Sequence, residues 1–179
     1  MRRILALAAL GAAGAWDADR WLAGRRGDAP LPALEMLVVV DVPIEAVWDV
    51  IADVPRQLEW MRDMKSVRID TPGTIGVGMR AEATVRVLGI PVTDPVVIVG
   101  FEPPHRYAIR HLGLFEGDGV FTLEAGADGT TTIVRWEERL EAPLLPDLGA
   151  IVQAPILRAV FQADLVRMKR LVETGSADG

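Results

Sequence analysis

The pattern of apolar and polar positions along the chain predicts a sheet of antiparallel strands. Between residues 77 and 87, apolar side chains alternate almost without exception with charged or hydroxyl-bearing ones. A period of two is typical of a strand with one buried face and one face in water. The same reasoning predicts further strands at residues 34–42, 96–101, 106–111, 116–124 and 130–141.

Three other segments follow the helical period. Between residues 43 and 51, apolar residues recur at i, i+3, i+4 and i+7 after a proline that suits a first helical turn. A second short helix is predicted from about Pro55 to Arg62, with Asp53 as its cap. A long helix is predicted from Pro146 onward, kinked or divided at Pro155. Its apolar stripe would lie across the concave face of the sheet.

Composition narrows the class of protein. The 179 residues predict one domain, and the absence of cysteine excludes disulfides and thiolate chemistry. The net charge of −6 argues against binding to nucleic acid, which requires clustered basic residues. Two histidines without cysteine make a poor metal site, so we predict no metal and no cofactor.

The first 33 residues are expected to stand apart from the domain at residues 34–175, with a disordered tail at 176–179. An apolar run from Ile4 to Ala15 is short for a bilayer-spanning helix, which needs about 20 residues. Residues 24–32, rich in glycine, proline and charge, are interpreted as a linker.

Trp16 and Trp21, followed by Arg25 and Arg26, resemble an interfacial anchor. We therefore expect residues 4–22 to contact a membrane and the remainder to be cytoplasmic. A cleaved export signal and an extra helix packed on the domain are the alternatives.

The order strand, two short helices, meander and long helix resembles the START-like (SRPBCC) superfamily, in particular its polyketide cyclase/dehydrase branch. The resemblance covers residues 34–173 and is carried by four stretches: residues 40–53, residues 59–68, Phe101-Glu-Pro-Pro-His-Arg-Tyr107 and residues 129–136. It implies an α+β helix-grip fold, in which a curved antiparallel sheet of six or seven strands wraps around the C-terminal helix. It also implies an apolar cavity, but members include enzymes, carriers and regulators, so the fold alone leaves the activity open.

Strand alternation predicts which side chains face this cavity. In the last strand, charges on Arg135, Glu137 and Arg139 place that face in water, so Trp136 and Glu138 point inward. An approximate hairpin register sets Trp136 across from Gly119 and Glu138 across from Gly117. By the same alternation, the strand from Arg106 turns Tyr107, Ile109 and His111 inward.

His111 and Glu138 are the catalytic candidates, because an inward carboxylate needs a partner and a nearby histidine could supply it. The alternative is that both lie at a wet rim. Asp164 is unusual because it falls within the apolar stripe of the last helix. The candidate ligand-binding residues are Met79, Tyr107, Ile109, Phe121, Val134, Trp136, Leu157, Phe161 and Asp164.

The leading functional prediction is binding of a hydrophobic small molecule, such as a lipid, isoprenoid or polyketide-like compound, without covalent chemistry. Residues 144–155 and the loop from Gly73 to Gly78 would form the gate. A cyclase or dehydratase that uses His111 and Glu138 is one alternative, and a membrane-tethered accessory or assembly factor is another. The sequence leaves the oligomeric state open.

Overall fold

The computed structural model of the chain describes residues 2–71, 73–87 and 90–178. The helices are α1 (Arg2–Arg26), α2 (Ile44–Ile51), α3 (Gln57–Trp60) and α4 (Pro146–Thr174). The strands are β1 (Leu34–Val40), β2 (Met64–Ile69), β3 (Arg80–Val87), β4 (Ile90–Glu102), β5 (Arg106–Leu112), β6 (Glu116–Ala125) and β7 (Thr132–Glu141). This order confirms the predicted α+β helix-grip fold.

The seven strands form one antiparallel sheet in the order β1-β7-β6-β5-β4-β3-β2. Strands β2 to β7 follow one another as a meander, while β1 pairs with β7 at the far edge, with Leu34 opposite Glu138. Helices α2 and α3 occupy the crossover from β1 to β2 and contact α4. The sheet therefore has a concave side that α4 covers.

The buried face of α2 follows from its spacing, since Ile44, Val47, Trp48 and Ile51 are all buried. The Asp53 carboxylate accepts a hydrogen bond from the Arg56 N–H at 3.3 Å, which stabilises the turn before α3 and not, as predicted, the first turn of the helix itself. Helix α3 is shorter than expected, because residues 54–56 form a turn before it.

Strand β4 is twice as long as predicted and contains Pro91 and Pro95. Residues 90–95 pair with β3, whereas the pairing of β4 with β5 begins at Val96. This half of β4 therefore has one free backbone edge, where a residue without an N–H is tolerated. Strand β3 begins only at Arg80, so Val77 is 68% exposed and does not face inward as the alternation suggested.

Helix α4 is continuous through Pro155, so of the two expected outcomes, a kink or a division, the division is wrong. Among the described residues, it alone is long and apolar enough to meet the criteria for a membrane span by length and composition. In this fold it packs instead against β1, β7, α2 and α3.

Helix α1 extends to Arg26, so the predicted linker begins at Gly27 rather than at Gly24. The start of α4 lacks a side-chain cap of its own, and Leu145 before it has a left-handed φ of 57°. Asp19 of α1 supplies the missing acceptor, since its Oδ1 accepts a hydrogen bond from the Leu148 N–H at 2.9 Å. Arg26 pairs with the buried Asp147 at 2.7 Å.

Residues 176–178 follow α4 and lie against the domain. Ala177 is 7% exposed and belongs to the apolar core, and Arg167 of α4 pairs with Asp178 at 2.5 Å. A small apolar side chain and an ion pair therefore hold this segment against the domain. Gly179 lies outside the described residues.

Candidate functional site

A cavity of about 540 Å³ lies between the concave side of the sheet and α4. This volume is in the range of sites that enclose small organic ligands. Its wall is mostly apolar and comes from β2 to β7, α3 and α4. The apolar residues of the wall include Met61, Met64, Met79, Ile98, Leu114, Phe121, Trp136, Ile156, Leu157 and Phe161.

Most of the residues predicted to bind a ligand line this cavity. The lining includes both catalytic candidates and eight of the nine binding candidates, namely Met79, Tyr107, Ile109, Phe121, Trp136, Leu157, Phe161 and Asp164. The exception is Val134, which is fully buried in the core and is not part of the cavity wall. It lies between Val38 of β1 and Leu123 of β6, where neighbouring apolar side chains cover it.

The aromatic residues on this side of the sheet fall into two groups, those that line the cavity and those that only pack in the core. Trp136 stacks on Phe121 and contacts Phe161, with ring centroids 4.8 Å apart in each pair. Trp60 approaches Phe121 and Trp136 edge-on and is fully buried, but it does not reach the cavity. Trp60 therefore serves packing in the core.

His111 lies between two carboxylates on the cavity wall. Its Nδ1 is 2.5 Å from Asp94 Oδ2, and its Nε2 is 2.9 Å from Glu138 Oε1. The second contact is an ion contact without an aligned hydrogen bond, because the ring N–H does not point at the oxygen. Glu138 is held from its other side, where Oε2 accepts a hydrogen bond from Trp136 Nε1 at 2.8 Å.

This arrangement fixes the charge of His111. Burial lowers its pKa, but the hydrogen bond with Asp94 and the close negative charges of Asp94 and Glu138 prevail and raise the pKa to about 10. The ring is therefore an imidazolium at neutral pH. The facing atoms, Nε2 of His111 and Oε1 of Glu138, are sealed from solvent by protein atoms.

The hairpin register differs by two residues from the one expected. Glu138 lies opposite Gly119, and Trp136 lies opposite Phe121. The turn is centred one residue later than assumed, and in it Asp128 accepts hydrogen bonds from the Thr130 N–H and from the hydroxyl groups of Thr130 and Thr131. A shift of two positions keeps every side chain on its face, so the inward set was still correct.

Tyr107 is 3% exposed and lines the cavity beside Gln57. Burial raises the pKa of Tyr107 to about 12, against a smaller lowering by its hydrogen bond with Gln57. The hydroxyl group therefore stays protonated over the physiological range and cannot serve as a base.

Asp164 of α4 is 5% exposed and lines the cavity. Its Oδ1 accepts a hydrogen bond from the Arg62 N–H at 3.1 Å, at the turn between α3 and β2. Burial raises the pKa of Asp164 to about 6, and the charge of Asp63 adds to that effect against the Arg62 hydrogen bond. The side chain thus joins α4 to the α3 end of the cavity.

The mouth of the cavity lies where lining residues are also exposed. Leu114, in the turn between β5 and β6, is 54% exposed, and Ile156 of α4 is 61% exposed. The first half of α4 therefore reaches the mouth, where the gate was expected. The facing segment is the turn with Leu114, because none of the described residues between 71 and 78 lines the cavity.

Sequence reasoning missed Asp94 and the Leu114 turn. Asp94 lies between Pro91 and Pro95, outside the predicted strands, and only the pairing of β4 with β5 brings it to His111. The sequence does carry one signal for Asp94, because it is a lone acidic residue in an otherwise apolar run. Among the described residues, no group of three potential ligands is placed to hold a metal ion.

Chemically, the site offers an apolar container with few accessible polar groups. A catalytic acid or base works best with a pKa near the working pH, and His111 is far from that condition. The arrangement is suited to enclosing an apolar molecule rather than to transferring protons in this conformation.

Comparisons with known structures agree with this fold. A protein from Thermus thermophilus superposes with a TM-score of 0.65 at 15% identity, over 81% of this chain and 99% of that chain. The Zhui aromatase/cyclase from Streptomyces sp. R1128 has a TM-score of 0.59 at 19% identity, over 80% of this chain and 97% of its own. A START superfamily protein from Mycobacterium smegmatis has a TM-score of 0.54 at 11% identity, over 75% and 98% of the two chains.

At these identities the structures establish the fold alone. A comparison of the sequence with curated proteins found no match. The family model described as "Polyketide cyclase / dehydrase and lipid transport" matches residues 33–173, which is most of the chain. The protein therefore belongs to the polyketide cyclase/dehydrase and lipid transport family.

Proposed function

We propose that the protein binds a hydrophobic small molecule in the cavity between its sheet and α4. The observation that carries this proposal is the cavity of about 540 Å³ with mostly apolar walls. Burial of an apolar ligand there would contribute roughly 25 cal/mol per Å² of apolar surface removed from water. The closed triad Asp94–His111–Glu138 supports binding over catalysis, because its facing atoms are covered.

Native mass spectrometry of the gently purified protein tests this proposal. We expect a bound lipid-like mass that leaves on denaturation. Ala83, which is 7% exposed and lines the cavity, is the site for a filling variant. Ala83→Trp should lose the bound mass, whereas the control Ala159→Trp, on the exposed side of α4, should keep it. Retention of the ligand by a folded Ala83→Trp variant would contradict the proposal.

A cyclase or dehydratase is the second candidate. It is favoured by one specific observation, the 2.9 Å contact of His111 with Glu138 on the cavity wall. Such an enzyme would remove water from a β-hydroxy ketone, and the product enone is visible by its ultraviolet absorbance. His111→Ala and Glu138→Ala should then abolish turnover while the ligand still binds. Unchanged turnover in both variants would eliminate this role.

We further propose that α1 contacts a membrane through residues 4–22. This contact is supported by Trp16 and Trp21, which are 55% and 59% exposed, and by Arg25, which lies 4.7 Å over the Trp21 ring. Tryptophan and arginine together suit the interface between lipid and water. Flotation of the full chain with lipid vesicles tests this contact, and the double variant Trp16→Ala/Trp21→Ala should float less. Equal flotation of the two proteins would exclude an anchoring role for these side chains.

A further inference from the structure

The carboxylate of Asp164 has one oxygen that the protein leaves without a partner. Oδ1 is bonded to the Arg62 N–H, but Oδ2 has no hydrogen-bond partner among the described residues. Asp164 is 5% exposed and lines the cavity, but other protein atoms do not cover its Oδ2. Oδ2 is therefore open to the cavity, and a ligand that displaces water from the cavity would leave this oxygen unpaired unless the ligand supplies a donor.

The other charged groups of the wall do not offer the same opportunity. Glu138 and Asp94 are occupied by His111, and the facing atoms of that triad are covered. Tyr107 is uncharged, because burial raises its pKa to about 12. Asp164 is therefore the buried charged residue with which a ligand can form a new hydrogen bond.

The charges of the wall argue against an anionic ligand. Four carboxylates line the cavity, and they face two cationic residues, His111 and Arg86. His111 is neutralised within its triad, while Arg86 is exposed at the rim. The free carboxylate of a fatty acid placed inside would meet repulsion without a buried cation to offset it.

A cationic head group is disfavoured for a different reason. A buried ammonium loses several kcal/mol of hydration, and one carboxylate repays this only with ideal geometry and further acceptors. A hydroxyl group satisfies Oδ2 with its single proton, carries no charge, and loses far less on entering an apolar space.

We propose that the ligand is an uncharged apolar molecule with a terminal hydroxyl group, which donates a hydrogen bond to Oδ2 of Asp164. This proposal rests on the proposed binding function and names the ligand class. The hydroxyl group lies near the α3 end of the cavity, and the apolar body extends along α4 toward Leu114 and Ile156.

Matched twelve-carbon probes test the proposal on the full, delipidated chain. The probes are 1-dodecanol, dodecyl methyl ether, dodecanoate and dodecylamine, each measured by displacement of the neutral dye Nile red. Because a hydrogen bond to a charged group is worth about 1.5–3 kcal/mol, dodecanol should bind about tenfold or more tightly than the ether. Stronger binding of the acid or the amine than of the alcohol would overturn the proposal.

Asp164→Asn is the decisive variant. Its amide oxygen can still accept the Arg62 N–H, but an NH₂ group replaces the free acceptor and donates equally well to an alcohol or an ether. The preference for dodecanol should therefore fall to within about twofold. If the preference persists in Asp164→Asn, the hydroxyl group binds elsewhere and the proposal is wrong.

Two controls separate this proposal from the binding function beneath it. Arg86→Gln should leave the order of the four probes unchanged. If dodecanoate bound more tightly than dodecanol to the parent protein and lost that binding in Arg86→Gln, the site would be one for acids. Ala83→Trp should abolish displacement by every probe. If no probe displaces the dye from the parent protein, the binding function itself fails, which is distinct from a wrong head group.

Discussion

Gly119 lies directly across the β6–β7 ladder from Glu138, and a Cβ atom at residue 119 would be 2.6 Å from Oε2 of that carboxylate. The space beside Gly119 is therefore what allows Glu138 to reach both Trp136 and His111. The requirement is steric, because a real Cβ atom does not approach an oxygen so closely.

Gly119→Ala should consequently displace the Glu138 carboxylate and weaken the triad. We expect a loss of about 1–3 kcal/mol in the free energy of unfolding, measured by urea titration. Gly76→Ala is the matched control, since no atom lies within 4 Å of its added Cβ. Equal stability of the two variants would show that Glu138 adjusts without loss.

The charge of His111 gives a second prediction. A histidine in water titrates near pH 6.5, whereas the pKa of His111 in the folded protein is raised to about 10 by Asp94 and Glu138. Its ring nitrogens should therefore keep imidazolium chemical shifts at pH 8 in ¹⁵N spectra. His105→Gln, which removes the other histidine, assigns the signals. A ring that loses its proton near pH 6.5 would contradict this.

The same raised pKa has a defined effect on stability. The contribution of the triad is fully present below pH 6.5 and is lost as the pH rises toward 10, because the folded state then holds the proton more tightly than the unfolded chain. The difference in unfolding free energy between the parent protein and His111→Gln should fall by more than about 1 kcal/mol between pH 7 and pH 10. A constant difference over that interval would argue against a charged His111.

Asp164 should change stability with pH in the same direction as His111, but over a more acidic interval. Burial raises its pKa to about 6 from 3.8, so ionisation costs folding stability as the pH rises through this interval. Asp164→Asn keeps an acceptor for the Arg62 N–H and removes that cost. The variant should match the parent protein near pH 3.5 and exceed it at pH 7 by on the order of 2 kcal/mol, measured by urea titration. A variant that is less stable at pH 7 would show that the charge is stabilised by groups other than Arg62.

The contact between α1 and α4 predicts a local effect. Arg26 pairs with the buried Asp147 in the first turn of α4. Arg26→Met should increase amide hydrogen exchange over residues 147–151 by about tenfold, because that turn loses its tie to α1. Arg25→Met, whose guanidinium lies over the exposed Trp21 instead, should leave exchange in this turn unchanged. Equal protection in both variants would mean that Asp19 alone secures the turn.

The strand faces could be predicted from sequence because alternation is a local property of two neighbouring residues. Trp136 and Glu138 point inward whichever register the hairpin adopts by an even shift. The register itself depends on hydrogen bonds of Asp128 in the turn, which the pattern of apolar residues does not encode.

The missed parts of the site depend on pairings between distant residues. Asp94 joins His111 only through the β4–β5 ladder, and prolines on both sides of it concealed the strand. Val134 was correctly predicted from alternation to point inward. Alternation alone does not distinguish a core residue from a cavity-lining one, and the pairing of β1 with β7 places Val134 in the core.

The edge position of β1 has a consequence for synthesis. Leu34 can pair only after Glu138 has been made, about 100 residues later in the chain. Such long-range pairing is slow compared with hairpin formation. Strands β2 to β6 can assemble as successive hairpins while the chain is still being made. Because β7 and α4 follow the other strands, the concave face stays open until α4 has been made, and the container acquires its lid last.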